Sequence, residues 1–260
     1  MSWGLVLGPG GPVGTAWLAG LAAGLRDAGI DPAAAGTIVG TSAGAIAGAM
    51  IATGRDLAAV AELPPANGPR PARDPAVMER VFGLMRDPAL EPDEARRRVG
   101  RLAAEVEALP AEWHRRRMEF LVGTDAWPEG RLLITAVDVA SGEPVVWDRA
   151  SGVPLSAAVA ASSAAPGHAR PVEIDGRLYM DGAFGGGAWP WLAKDAGKVV
   201  LVEPIAHMSD GSGGDVRIVA DAAALEAFGG DVGDVTRWSQ CYRAGVRQAP
   251  EAARLIATVA

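Results

Sequence analysis

Gly40-Thr41-Ser42-Ala43-Gly44 sets a serine between two glycines, each two positions away. That G-x-S-x-G spacing suits a nucleophile held on a sharp strand-to-helix turn, because a Cβ at either glycine position would collide across the turn. Thr37-Ile38-Val39 reads as the end of a buried strand, and Ala43 to Thr53 as a helix whose small residues pack closely on a sheet. A helix that starts just after Ser42 aims its dipole and free N–H groups at a developing oxyanion. The competing reading is a glycine-rich turn carrying an idle serine.

A nucleophilic serine needs oxyanion donors and a proton acceptor. The loop Gly8-Pro9-Gly10-Gly11-Pro12-Val13-Gly14 offers main-chain N–H groups that can converge on an anion. Pro9 and Pro12 have none, so the donors narrow to Gly8, Gly10, Gly11 and Val13, of which Gly10 and Gly11 are the choice. A dinucleotide reading of this loop is weaker, since Val13 stands where the third glycine of G-x-G-x-x-G belongs and no acidic residue ends the next strand. A P-loop lacks its G-K-[ST] ending.

Three histidines could act as base: His114, His168 and His207. Ser42, Asp181 and His207 have the chain order of an α/β-hydrolase triad, but only one strand and one helix precede Ser42, fewer than those enzymes place before the elbow. His114 lies in an arginine-flanked segment and reads as a surface residue, His207 lies in a polar loop, and His168 follows Pro166-Gly167. Asp181 closes a strand, and Gly182 and Ala183 permit a tight turn that leaves its carboxylate at the strand end. A lone carboxylate within ~3 Å of a hydroxyl can serve as base when burial keeps its pKa workable. The alternative is an Asx-turn, common at D-G pairs.

The elements that must position these groups alternate. Trp3 to Leu7 reads as a first strand, Gly8 to Gly14 as a loop, and the segment carrying Trp17, Leu18, Leu21 and Leu25 as a helix closed by Gly29. The unit that delivers Ser42 follows, and two successive strand-to-helix units predict an α/β fold with a mostly parallel sheet. Leu63 to Asp74 is a proline-rich connector. Helices carrying Val77, Val81 and Met85, and then Val99, Leu102 and Val106, read as surface-lying, with the runs Arg96–Arg98 and Arg115–Arg117 on solvated faces among glutamates. Arg131 to Val139 and Glu143 to Asp148 form a hairpin, Pro154 to Ser162 a helix, and a second hairpin turns at Asp175-Gly176 and ends at Met180. Strands at 198–202 and 216–219, a helix capped by Asp221 and a closing helix from about Val235 to Val259 complete the chain.

With 260 residues, 49% of them hydrophobic, the chain is expected to form one domain over residues 1–260. A net charge of −7 without a dominant basic block gives nucleic acid no purchase. Cys241 is the sole cysteine, which rules out an internal disulfide and a cysteine-based zinc site and fits a cytoplasmic location. The N-terminus has no basic region of a signal peptide, and no apolar stretch reaches the ~18 residues of a membrane span. Any contact with a membrane surface is therefore peripheral and made from the aqueous side. Trp113, Trp127, Trp189 and Trp191 read as packing residues.

LGPGGPVG, GTSAG and DGA, in that order, resemble the patatin-like phospholipase family, as does the approach to the aspartate from Ala157 to Asp181. Asp181 lies 139 residues after Ser42, in keeping with the family's wide spacing. The resemblance implies a three-layer α/β/α sandwich with a helical insertion at about 56–122. It also implies a Ser-Asp dyad without catalytic histidine, metal or organic cofactor: Ser42 attacks the acyl carbonyl, Asp181 takes its proton and later activates water, and Gly10 and Gly11 hold the oxyanion. Gly8, Gly14, Gly40, Gly44, Gly182 and Ala183 flank these groups in the motifs. The expected substrate is a fatty acyl ester of a lipid, lysophospholipid or phospholipid. Where the family loop commonly reads G-G-G-x-R-G, this chain has Pro9 for the first glycine and Val13 for the arginine. The lost positive charge weakens the case for head-group phosphate and favours a neutral ester or thioester. Acyl transfer or thioester hydrolysis on the same dyad, and a non-catalytic acyl-chain binder with a degenerate oxyanion loop, are the alternatives.

Overall fold

The computed structural model describes residues 3–63, 69, 74–206 and 211–259, which hold eight strands and eight α-helices. They run β1 (Trp3–Leu7), α1 (Gly11–Asp27), β2 (Thr37–Gly40), α2 (Ala43–Ala52), α3 (Pro75–Arg86), α4 (Pro92–Glu105), α5 (Ala111–Val122), β3 (Leu132–Asp138) and β4 (Pro144–Trp147). There follow α6 (Leu155–Ser162), β5 (Val172–Ile174), β6 (Arg177–Asp181), β7 (Lys198–Glu203), β8 (Val216–Val219), α7 (Ala222–Phe228) and α8 (Trp238–Ile256). The strands form one sheet in the order β5-β6-β3-β2-β1-β7-β8, with β4 also paired to β3. From β3 through β8 along this order the pairings are parallel, whereas β3–β4, β3–β6 and β5–β6 are antiparallel.

The central strands are buried on both faces, which is why they read as unbroken apolar runs. Leu5, Leu7, Ile38, Ile134, Val200 and Val202 point into the larger core, shared with α1, α2, α5, α6, α7 and α8. The alternate residues Val6, Val39, Leu133 and Leu201 face the other way, onto Trp189 and Ala193 beside the 3₁₀ turns at Pro190–Ala196. On that same face Val77 and Val81 of α3 and Val99 and Leu102 of α4 cover Val137 and Met180. The helical stretch between residues 56 and 122 thus divides between layers: α3 and α4 build the second face, while α5 contributes Met118, Leu121 and Val122 to the first. The expectation that α3 and α4 merely lie on the surface is corrected by these buried stripes.

Two helix starts differ from the sequence reading by several residues. α1 begins at Gly11, three residues before the expected end of the loop, because Pro12 sits in its first turn, where a fixed φ helps and a missing N–H costs nothing. The closing helix proper starts at Trp238, after a 3₁₀ turn at Val235–Arg237. Most of the proline-rich connector, and His207, lie outside the described residues. Among the described residues no helix is long and apolar enough to cross a membrane.

Candidate active site

Register brings the two candidate residues together. Gly40 of β2 pairs with Ile134 of β3, and Ala136 of β3 pairs with Asp181 of β6, so Asp181 lies level with the position two residues beyond Gly40, which is Ser42. β6 runs antiparallel to β3 and pairs only with its last residues, Ala136 to Asp138, so it stops at Asp181 just beyond the level at which β2 finishes. The Ser42 hydroxyl reaches across and donates to Asp181 Oδ2 at 2.6 Å. Both residues are buried, with 7% and 3% of their surface exposed.

Ser42 has φ 57° and ψ −116°, a backbone conformation that non-glycine residues rarely adopt. Its neighbours hold it there. A Cβ on Gly40 would lie 2.6 Å from Ala45 Cα, a clash across the turn, while one on Gly44 would lie 1.9 Å from the Leu7 carbonyl oxygen, a clash with β1. The second glycine is therefore required by the neighbouring strand more than by the turn itself. The Thr41 hydroxyl bonds that of Thr135 on β3 at 2.8 Å, and the Ser42 N–H donates to Ser162 Oγ at 3.0 Å. Ser162, at the end of α6, was not singled out by the sequence reading although it lies in the stretch leading to the aspartate; a serine in an alanine-rich helix end gives no local sign of its partner.

Asp181 uses both oxygens: Oδ2 accepts from Ser42, and Oδ1 accepts from the Ala183 N–H at 2.9 Å. The Asx-turn and the dyad are thus features of one carboxylate. Gly182 is needed because a Cβ there would sit 2.4 Å from both the carbonyl oxygen and Oγ1 of Thr135. Burial pushes the Asp181 pKa up to about 7, partly offset by the hydrogen bonds from Ser42 and Ala183. At neutral pH such a carboxylate can both take and return a proton.

The main-chain donors of the glycine-rich loop sort themselves. The Gly8 N–H donates to the Val202 carbonyl at 2.9 Å, and its carbonyl accepts from Gly44 N–H at 3.1 Å, so Gly8 ties β1 to β7 and to α2. The Val13 N–H donates to the Val232 carbonyl at 3.3 Å, and Gly14 N–H to the Gly10 carbonyl at 3.0 Å. Gly10 and Gly11, the N-cap and first residue of α1, keep N–H groups with no acceptor among the described residues. The N–H of Ala43, first residue of α2, is in the same state, as expected of a helix that starts just after Ser42. Pro204 packs where a Cβ on Gly10 or Gly14 would be, at 2.7 and 2.9 Å.

The two described histidines, His114 and His168, stand elsewhere. His114 is buried, contrary to the expectation of a surface residue: α5 lays it against α6, where Nε2 lies 3.1 Å from the Ala160 carbonyl and 3.0 Å from Ser163 Oγ. Only a protonated Nε2 can donate to that carbonyl. Desolvation drives its pKa down to about 3, so the ring is neutral. His168 is half-buried in the turn after α6. Among the described residues neither Ser42 nor Asp181 has a histidine partner. No group of three or more metal-binding side chains occurs among them either. Two pockets of about 390 and 400 Å³ open elsewhere, one along Trp191, Lys194 and Glu203, the other along Trp127 and Arg149; neither is lined by Ser42 or Asp181.

The family model described as patatin-like phospholipase matches residues 5–188, which include all the residues of the three motifs. No curated protein matches the chain. Among solved structures it is similar to VipD from Legionella pneumophila, with TM-score 0.42 and 14% identity over 87% of this chain and 53% of that one. It is also similar to the type III effector protein ExoU, with TM-score 0.43 and 15% identity over 96% of this chain and 52% of that one. The chain thus spans about half the length of each.

Proposed function

The chain belongs to the patatin-like phospholipase family, and from that premise we propose that it is a serine acyl hydrolase that cleaves fatty acyl esters of lipids with a Ser42–Asp181 dyad. The observation that carries the reading is the 2.6 Å hydrogen bond from the Ser42 hydroxyl to a buried carboxylate. As the Ser42 oxygen adds to the acyl carbonyl, its proton passes to Asp181 Oδ2, and the negative charge that forms on the carbonyl oxygen is taken up by the Gly10 and Gly11 N–H groups. Collapse of the tetrahedral species expels the alcohol, which leaves with the proton from Asp181, and Ser42 is acylated. Asp181 then removes a proton from water, the hydroxide attacks the acyl-enzyme, and the fatty acid departs as Ser42 recovers its proton.

Val13 is fully buried in the larger core, so the position that carries arginine in the family's loop presents no charge here. This favours an acyl ester or thioester whose recognition does not depend on a phosphate. The test is covalent: an alkyl fluorophosphonate should label the wild type, and Ser42→Ala should abolish both labelling and hydrolysis of a p-nitrophenyl ester. Undiminished labelling of Ser42→Ala would remove Ser42 as nucleophile. Absence of labelling in the wild type, with measurable fatty-acid binding, would favour a non-catalytic acyl-chain binder. Product analysis with added alcohol or thiol acceptors separates hydrolysis from acyl transfer.

A further inference from the structure

The loop between α7 and α8, Gly229 to Val235, lies beyond the stretch matched by the family model. It nevertheless touches the glycine-rich loop more than 200 residues earlier. Val13 N–H, the donor that follows Pro12 in the first turn of α1, gives its hydrogen to the Val232 carbonyl. The same carbonyl oxygen lies 2.6 Å from where a Cβ on Gly11 would be, and Gly11 has φ +60°, a conformation that favours glycine. Val232 therefore both occupies the competing donor and fixes the residue whose N–H is left over.

The loop holds its own shape through a side chain. Asp231 Oδ1 accepts from the Gly233 N–H at 2.8 Å, and the Asp231 carbonyl accepts from the Asp234 N–H at 3.1 Å, so an Asx-turn presents the Val232 carbonyl to α1. On the other side Pro204 confines Gly10. The pair of candidate oxyanion donors is thus clamped between two segments that the motifs do not contain.

We propose that Asp231 is a positioning residue for the oxyanion hole: by shaping the 229–235 loop it seats the Val232 carbonyl on Val13 and Gly11 and so aims the Gly10 and Gly11 N–H groups. The inference rests on the acyl-hydrolase reading given above. Oxyanion donors act on charge that exists only in the transition state, so loosening them lowers kcat and leaves KM in place. Loss of one such donor costs on the order of 100-fold to 1,000-fold in kcat, and a donor that is misaimed rather than lost costs less.

The experiment measures kcat and KM on a p-nitrophenyl ester for the wild type, Asp231→Ala, Asp231→Asn and Ser42→Ala, with thermal unfolding of each. Asp231→Ala is expected to lose about tenfold or more in kcat at unchanged KM, and Asp231→Asn, whose amide oxygen can accept the same N–H, to recover wild-type kcat within about twofold. Wild-type kcat in Asp231→Ala, or a loss that Asp231→Asn does not repair, overturns the inference. Val232→Gly, which frees the backbone at the same carbonyl from an exposed position, is expected to show the same kcat loss and serves if Asp231→Ala is partly unfolded. An active Ser42→Ala would instead overturn the acyl-hydrolase reading, so the two failures are distinct.

Discussion

Replacing Asp181 by asparagine is expected to remove turnover and, above neutral pH, to make the protein more stable. The carboxyl is buried and its pKa rises from 3.8 to about 7 on folding. The unfolded chain therefore ionises this group at lower pH than the native one, and native stability falls as pH rises from about 4 through 7. Each pKa unit corresponds to 1.36 kcal/mol, so the ionised carboxylate costs the native state about 4 kcal/mol by pH 8, an order-of-magnitude figure. Asparagine keeps the size of the side chain and an oxygen for the Ala183 N–H, but carries no titrating proton. The difference in unfolding free energy between Asp181→Asn and wild type should rise by roughly 4 kcal/mol between pH 4 and pH 8, steepest near ~1.4 kcal/mol per pH unit midway. For a chain of this length that is a shift on the order of 10 °C in Tm. Urea unfolding at a series of pH values measures it. A difference curve flat to within about 1 kcal/mol would mean that burial does not hold Asp181 at a raised pKa.

On the acid side, kcat/KM should fall about tenfold per pH unit below an inflection near 7, because only the ionised Asp181 accepts the Ser42 proton; a pH–rate profile flat from 5 to 8 would contradict this. Ser162→Ala strands the buried Ser42 N–H and should cost about 1–3 kcal/mol of stability together with a loss in kcat, which Ser162→Thr restores, as seen by denaturant titration and ester hydrolysis. Gly44→Ala drives a Cβ into the Leu7 carbonyl and should destabilise by more than about 3 kcal/mol, read as lost soluble expression or a collapsed Tm. His114→Gln should lower stability while keeping turnover within about twofold of wild type; a dead variant of normal fold would return a histidine to the mechanism.

Much of the site was legible because its chemistry is written in local sterics. Gly40 announces a turn that nothing larger can make, while Gly44 and Gly182 mark places where β1 and β3 leave no room for a Cβ. The alternation of strands and helices was equally local, since each element carries its own apolar period. His114 shows where such reading fails: three flanking arginines made the segment look solvated, yet a helix has a buried side, and only packing against α6 chose which residue would occupy it. The start of α1 was missed because a proline in a glycine-rich stretch signals a loop as readily as a first helical turn.

The sequence by itself determined that Ser42 stands on a strand-to-helix turn, that main-chain donors cluster at Gly10 and Gly11, and that Asp181 ends a strand. Only the tertiary structure decided that the serine and aspartate meet, because the antiparallel register of β6 on β3 is what brings residue 181 level with residue 42. It also decided which loop donors stay free, through carbonyls supplied by Val202 and Val232. The raised pKa of Asp181 belongs to the fold in the same way: residue type gives a carboxyl its ordinary value, and displacement of water by distant segments of the chain moves it.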